Sequence, residues 1–547
     1  MLRQISLYWN TLCHLKAIQF YGRLKLIIFR SRPNLSLHLS LRTFAGVWAA
    51  PIKHTVSVIG CDEFIFLGQQ GSLAGLGWDG PDREKLWRYN QHYFDDLNAI
   101  LASERHEWHL ELLNNWVEQN PPTIGVGWES YPVSLRIVNW IKWSFAGNTL
   151  PESCIQSLAI QAHFLSKRLE WHLLGNHLLA NAKALIFAGL FFQGDEATAW
   201  LKTGLQIIDS ELAEQVLQDG GHFERSPMYH AIVLEDLLDL INLSQLSTES
   251  IDPSVTLKWR FVAKKMLFWL RLMTHPDGEI SLFNDAAFGI AAPFKELIEY
   301  AHTLGVQIEL DRPKSDIDVY ELEGSGYIRI SSDKAVAFLD VAPVGPDYLP
   351  GHAHADSLSF ELSLFGHRIF VNGGTSCYGS SPQRLRERQT ISHSTVEIDQ
   401  MSSSEVWSSF RVAQRAKPFG LKIKSTEEEI YVGCSHDGYA RLKGKPIHHR
   451  EWNMTANDLT ISDRVTGGEY KSIARFILHP SVSIDRLNAN DWRIYMPLGQ
   501  EVLFKVLSGN GFVESANYAP EFGTVVQTQC LAIELALGRS QAKLQWN

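Results

Sequence analysis

Residues 351–374 read GHAHADSLSFELSLFGHRIFVNGG, and the second half of that stretch decides the fold. From Ser357 the apolar residues Leu358, Phe360, Leu362 and Leu364 recur every second position, and Gly373–Gly374 close the run. Period two bounded by turn residues is the signature of a strand with one buried face. The same period recurs in YIRISSDKAVAFLDVA (327–342), HSTVEID (393–399), EEIYVGCS (428–435), DLTISDRVTG (458–467), SIARFILH (472–479), DWRIYMP (491–497) and EVLFKVLS (501–508). The simplest home for so many short strands is an antiparallel β-sandwich. Ahead of the strand, His352 and His354 alternate with small residues. On a strand, positions i and i+2 share a face, so the two imidazoles are predicted to project together, as a metal or proton-transfer site would need.

Upstream the period changes. EKLWRYNQHYFDDLNAILA (84–102), SLRIVNWIKWSFAG (134–147), IQSLAIQAHFLSKRLEW (155–171), HLLANAKALIFAGLFF (177–192), WLKTGLQIIDSELAEQVL (200–217), AIVLEDLLDLINLSQ (231–245) and VAKKMLFWLRLMT (262–274) carry apolar residues at i, i+3 and i+4. Consecutive helices of similar length predict stacked hairpins, either a solenoid or a closed toroid, and the lack of a strict repeat favours the toroid. DRPKSDID (311–318) reads as the linker. The expected organisation is multidomain α+β: a basic amphipathic segment over 1–75, a helical domain over 76–315 and a β-sandwich over 316–547.

With 547 residues, 45% hydrophobic and 20% charged, the chain has the composition of a soluble globular protein with more than one core. Six scattered cysteines without a CxxC pair exclude a zinc ribbon and a disulfide-dense scaffold. Of 17 tryptophans 13 precede residue 300, which suits either helix packing or a sugar-binding cleft. The charge is lopsided. No acidic residue precedes Asp62, whereas eight basic ones do; the remainder holds 42 basic and 60 acidic side chains. Residues 1–45 therefore suit either peripheral contact with an anionic membrane or packing on the acidic body of the protein. No run of about 20 apolar residues exists to span a membrane. No signal-peptide pattern is evident either, which by sequence alone points to the cytoplasm. A net charge of −10 and the absence of phosphate-loop or nucleic-acid motifs argue against nucleic-acid partners.

The blocks LWRYNQHYFDDL, GWESYPVSLRIVNWIKW, GNHLLANAKAL, DGGHFERSPMYHAIVLEDLLDL, FNDAAFG and GHAHADSLSFELSLFGHRIFVNGGTSCYG resemble the heparinase II/III family of polysaccharide lyases, from about residue 80 to the end. The resemblance implies an N-terminal incomplete (α/α) toroid, a C-terminal antiparallel β-sandwich, a cell-envelope setting and β-elimination at a uronate of an acidic polysaccharide. Such chemistry removes the proton on C5 and expels the 4-linked oxygen, so the uronate carboxylate must be neutralised and an enolate-like charge stabilised. Asn176 and His177 match the family's positions for that task. Tyr229 and His352 match its acid–base pair.

Glu224, Arg225, Asn284, Arg384 and Arg388 are the candidate substrate contacts, the arginines because guanidinium groups suit carboxylates and sulfates. In zinc-binding members the ligands fall at positions matching His354, Asn372 and His393. Here the middle position is an amide instead of Asp, which weakens any zinc site; Asp356 is the carboxylate nearest in sequence. Two other readings compete: a glycoside hydrolase using Glu224 and Asp285 as paired carboxylates, and a non-lytic glycan-binding or polysaccharide-biosynthesis protein.

Overall fold

Helices fill the first half of the chain and strands the second. The computed structural model describes residues 2–28, 33–247, 250–308 and 316–546. Most of the predicted linker, 311–315, lies outside the described residues. Helices Ser130–Phe145, Glu152–Lys167, Gly175–Phe191, Asp195–Gln215, Pro227–Leu246 and Pro253–Leu272 stack as hairpins into an incomplete (α/α) toroid. Gly175–Phe191 is its central member, buried at every residue except His177. It packs against Ser130–Phe145, Asp195–Gln215 and Pro227–Leu246, which is why it is apolar on all sides. Small residues permit that approach: a Cβ on Gly189 would stand 2.6 Å from the Leu201 nitrogen.

Two of the longer helices were not among those predicted, His106–Gln119 and Phe294–Thr303, although Phe294, Leu297, Ile298 and Ala301 of the second keep helical spacing. A third is shorter than predicted. The helix beginning at Lys85 ends at Tyr93, because Phe94 turns left-handed (φ 61°) and a 3₁₀ turn follows at Asp95–Asn98. The turn exists to aim Asp96, whose carboxylate accepts the Ser57 and Val58 amides at 2.7 and 3.0 Å and pairs with Arg105 and His109.

The β half is a sandwich of an eight-stranded and a nine-stranded antiparallel sheet. Phe360, Phe370 and Phe476 of the larger sheet pack against Trp452, Trp492 and Phe504 of the smaller. The larger sheet is buried on both faces. Ile328, Ala337 and Leu339 point into the sandwich, whereas Tyr327, Val336 and Phe338 join the core of the helical half. Alternation therefore produces three layers, helices on sheet on sheet.

The described residues before position 76 pack on the rest of the protein and are not a separate segment. Arg42 donates to the Leu190 and Phe192 carbonyls, and Ile52, Val58 and Phe64 enter the helical core. Before them, α1 (Leu2–Leu12) and α2 (Ala17–Ile28) lie on the body. Lys16 pairs with Glu214 and sits 3.8 Å over the Tyr348 ring, and the Trp407 indole donates to Thr11 at 3.2 Å. The packing alternative is thus realised, yet Trp9, Phe20, Tyr21, Leu24 and Ile27 of the same pair remain exposed, Ile27 by 77%. No described helix is long and apolar enough to cross a membrane.

Candidate active site

A cleft of about 1180 Å³ is lined by both halves of the molecule, and Asn176, His177, Glu224, Tyr229 and His352 all face it. Asn176 and His177 open the central helix. The chain reaches them through two consecutive left-handed residues, Leu174 (φ 65°) and Gly175 (φ 57°). Leucine tolerates that conformation poorly. Gly175 is required for space as well: a Cβ there would lie 2.4 Å from Leu349 and 3.0 Å from Glu224. The turn delivers the Asn176 amide to the cleft at a helix N-terminus, where the positive end of the helix dipole favours an anion. His177 packs on the Tyr131 ring (centroids 4.4 Å apart), and its Nδ1 meets Glu170 at 3.2 Å. Burial would lower the His177 pKa, but the charge and hydrogen bond of Glu170, with the nearby Glu224 charge, together outweigh it and leave it raised.

Tyr229 occupies the first turn of Pro227–Leu246, capped by Ser226. Its hydroxyl lies 3.0 Å from that of Tyr378, and its ring rests on His352 with centroids 4.0 Å apart. Burial, reinforced by Tyr378 and Asp285, pushes the Tyr229 phenol well above its ordinary value, so it is a proton donor at neutral pH. Glu224 is also buried, and neither oxygen has a hydrogen-bond partner. Burial raises its carboxyl against the pull of His352 and His177.

The expectation that His352 and His354 share a strand face fails, because residues 351–358 form a loop and the strand starts at Phe360. Leu358 is left-handed (φ 58°), which separates the loop from the ladder. The two imidazoles nonetheless converge, through a shared carboxylate. His352 Nδ1 meets Asp285 Oδ2 at 2.9 Å and His354 Nε2 meets Oδ1 at 2.8 Å. Asp285 is fully buried and clamped by both terminal nitrogens of Arg384, one at 2.7 Å. Burial would raise its carboxyl, but Arg384 and the two histidines hold it well below the usual range. An ionised Asp285 takes the Nδ1–H of His352 and leaves Nε2 as the nitrogen turned to the cleft, 3.6 Å from Glu224.

Four expected substrate contacts turn inward instead. Arg384 is spent on Asp285. Arg388 donates to the carbonyls of Ala353, Ser408 and Ser409. Arg225 donates to the Ser325 and Phe223 carbonyls. Asn284 bridges the Arg225 carbonyl and the His354 amide. All four are buried, and none lines the cleft. Buried guanidinium groups need fixed acceptors, and here those acceptors build the loops that carry the histidines. Tyr378 and Tyr131 were not foreseen, since a lone tyrosine in TSCYG or WESYP carries no periodic or motif signal. Nor do the tryptophans serve the cleft. Trp87, Trp116, Trp140, Trp200, Trp259 and Trp269 are fully buried core.

The residues matching the zinc positions do not make a complete ligand set. His354 Nδ1, both His393 nitrogens and Asn372 Nδ2 are buried without hydrogen-bond partners, and the two imidazole rings stand 5.2 Å apart. The Asn372 oxygen, the one atom of that amide able to ligate, accepts the Ser394 amide at 3.2 Å. Asp356 accepts the Asn284 amide instead of joining them. One imidazole nitrogen from each of two histidines falls short of the four ligands zinc takes, and among the described residues no group of three His, Cys, Asp or Glu is placed to hold a metal.

Comparison with known proteins agrees with this architecture. Residues 83–303 match the model for the heparinase II/III N-terminus, and residues 317–547 match that for the heparinase II/III-like C-terminal region. A heparin-sulfate lyase of Bacteroides stercoris is 27% identical over 413 residues, 66% of this chain and 60% of that protein. One of Bacteroides thetaiotaomicron is 24% identical over 68% of this chain and 58% of its own length. The chain thus spans about 60% of the length of these curated relatives. A crystal structure of heparinase III superposes with a TM-score of 0.66 at 18% identity, covering 97% of this chain and 84% of that one. A heparan sulfate lyase from Pedobacter heparinus gives 0.56 at 17% identity, covering 97% and 83%. With both halves matched in order, this chain belongs to the heparinase II/III family.

Proposed function

We propose that this protein is a polysaccharide lyase that cleaves a uronate-containing acidic glycan by β-elimination. The observation that carries the reading is the meeting, in one cleft, of an anion-favouring helix start with a phenol donor stacked on an imidazole of fixed tautomer. The uronate carboxylate takes the Asn176 amide and His177, which withdraw charge and acidify the C5 proton. His352 Nε2 accepts that proton while its Nδ1–H stays on Asp285. The electron pair left on C5 forms the C4–C5 double bond, the bond from C4 to the glycosidic oxygen breaks, and the Tyr229 hydroxyl protonates the departing oxygen. Tyr378, hydrogen-bonded to that hydroxyl, holds it in place.

The hydrolase alternative needs two carboxylates free to act on substrate. Asp285 is fully buried and held by Arg384, His352 and His354, so that pair is not available. Incubation with a panel of uronate glycans tests the reading. A lyase leaves an unsaturated, ultraviolet-absorbing end; a new reducing end without absorbance would replace it with hydrolysis, and binding without cleavage would favour the non-lytic role.

Two narrower expectations accompany it. Zinc should be substoichiometric in the purified protein, because Asn372 puts a neutral amide where a carboxylate ligand is expected, and Asn372→Asp should raise the zinc content. Elemental analysis showing one zinc per chain in the unaltered protein would refute this. The exposed apolar residues of α1 and α2, with Arg23 and Lys25 beside them and no acidic residue before Asp62, suit peripheral contact with an anionic lipid surface. Cosedimentation with anionic but not zwitterionic vesicles is expected, weakened by Trp9→Ser with Ile27→Ser; equal recovery with both vesicle types would leave packing as the whole role of the pair.

A further inference from the structure

The helix pair α1–α2 is amphipathic the wrong way round for helices that pack on a protein. Phe20, Leu24, Ile27 and Ile28 recur at i, i+4, i+7 and i+8, so they form one stripe along α2, and all four are exposed. Gln19, Gly22 and Leu26 lie on the opposite side, and among the described residues of the pair only Gln19 and Gly22 are buried. Arg23 and Lys25 fall on the two borders of the stripe, both exposed. Ile5, Trp9 and Leu12 share a face of α1 in the same way and are exposed too. A stripe flanked by cations, with no carboxylate before Asp62 to oppose it, complements an anionic lipid surface. The apolar side chains enter the acyl boundary, and the cations reach back to the headgroup phosphates.

The inward side of the pair rests on three loops, and each loop sends its next residues into the cleft. Gly22 brings α2 against the first: a Cβ there would stand 2.8 Å from the His172 nitrogen, and Leu173 and Leu174 line the cleft. Gln19 donates to the Tyr348 carbonyl of the second at 3.4 Å, and Leu349, Gly351 and His352 line the cleft. The third is the turn between the paired strands Val406–Trp407 and Arg411–Val412. The Tyr8 ring meets Trp407 with centroids 5.0 Å apart and lies under the Arg411 guanidinium, and Phe410 of that turn lines the cleft. The apolar stripe therefore lies on the outer side of loops whose neighbouring residues form the cleft wall. A helix is about 10 Å thick, so a surface that holds α1–α2 holds the cleft close beside it.

We infer that the protein works on uronate glycan chains carried by an anionic lipid surface, with α1–α2 as the docking face that sets the cleft beside the chain. The inference rests on the lyase reading for the reaction, but docking and glycan binding are measured apart from turnover. Engaging lipid and glycan together makes the second contact intramolecular, and such pairing gains about 10²–10⁴-fold in avidity with no new contact in the cleft. The scaffold favours the arrangement: helices of 11 and 12 residues are marginal alone in water, and the three loops hold them formed with the stripe turned outward.

The experiment couples each glycan of the uronate panel, through either end, to a phospholipid in phosphatidylcholine vesicles with or without phosphatidylglycerol. Below KM, the unsaturated product should appear about 100-fold faster from the tethered glycan on anionic vesicles than from the same glycan free in solution. Trp9→Ser with Ile27→Ser, or Arg23→Glu with Lys25→Glu, should abolish that advantage while turnover of the free glycan and the circular dichroism spectrum stay unchanged. Equal rates from the tethered and free forms would overturn the inference and leave the lyase reading standing, even if the protein sediments with the vesicles. A concentration-dependent dimer that the Trp9 and Ile27 changes dissolve, with no preference for tethered glycan, would assign the face to a second copy instead. If neither form is cleaved, affinity is read with Tyr229→Phe. Tighter binding of the tethered form would then uphold the inference and remove the lyase reading, and equal or absent binding would overturn both.

Discussion

Tyr229→Phe is expected to lower kcat by about 10²–10⁴-fold, the usual contribution of a positioned general acid or base, with little change in melting temperature. The substitution deletes one hydroxyl, whose only partner is the Tyr378 hydroxyl at 3.0 Å. Ring stacking on His352 and the helix cap at Ser226 survive. Turnover of the ultraviolet-absorbing product and a thermal melt on the same preparation separate the outcomes. A lowered melting temperature with turnover kept per folded molecule would make Tyr229 a packing residue and leave His352 to move both protons.

Asp285→Asn should be the most damaging single change in the molecule, and in both senses. It leaves Arg384, which is fully buried, facing an amide in place of a carboxylate; losing one partner of a buried ion pair costs about 3–5 kcal/mol. At roughly 2–4 °C per kcal/mol for a domain of 150–250 residues, the melting temperature should fall on the order of 10 °C. The new amide can donate to His352 Nδ1, which favours the tautomer with its proton on Nε2 and so removes the base. The double variant Asp285→Asn with Arg384→Gln discharges the cation and should recover part of the stability. It should recover none of the activity, since the tautomer is still wrong. Recovery of turnover together with stability would show that Asp285 acts only by holding the fold.

What the sequence revealed, and what it hid, follows from the range of each interaction. Helix and strand periods are local, so the toroid helices and most strands could be read directly, and so could Asn176–His177 at a helix start. The register of the active-site loop was hidden. HxH reads as a strand until one knows that Leu358 is left-handed and that the pairing partner of both imidazoles is Asp285, some 70 residues earlier. The arginines misled for the same reason. QRLRERQT reads as a cationic run, but its helix buries Arg384 and Arg388 against Asp285 and a set of carbonyls while Arg386 stays outside. Composition shows the charge; only the fold shows its partner. The tryptophans left helix packing and a sugar cleft both open, and the fold puts most of those in the helical half into its core and none in the cleft.

The seam through the cleft has a consequence for how this chain is made. Asn176, His177, Glu224, Tyr229 and Asp285 lie on the half that leaves the ribosome first, whereas His352 and Arg384 follow 67 and 99 positions after Asp285. A nascent or clipped chain ending before Gly351 therefore holds the donor and the anion site without a base, and its Asp285 lacks the guanidinium that keeps it charged. Such a fragment also lacks the part of the cleft wall that Tyr378, Phe410 and Phe522 supply. On the proposed mechanism, elimination has to wait until the chain has passed Arg384, a safeguard written into the order of residues along the chain.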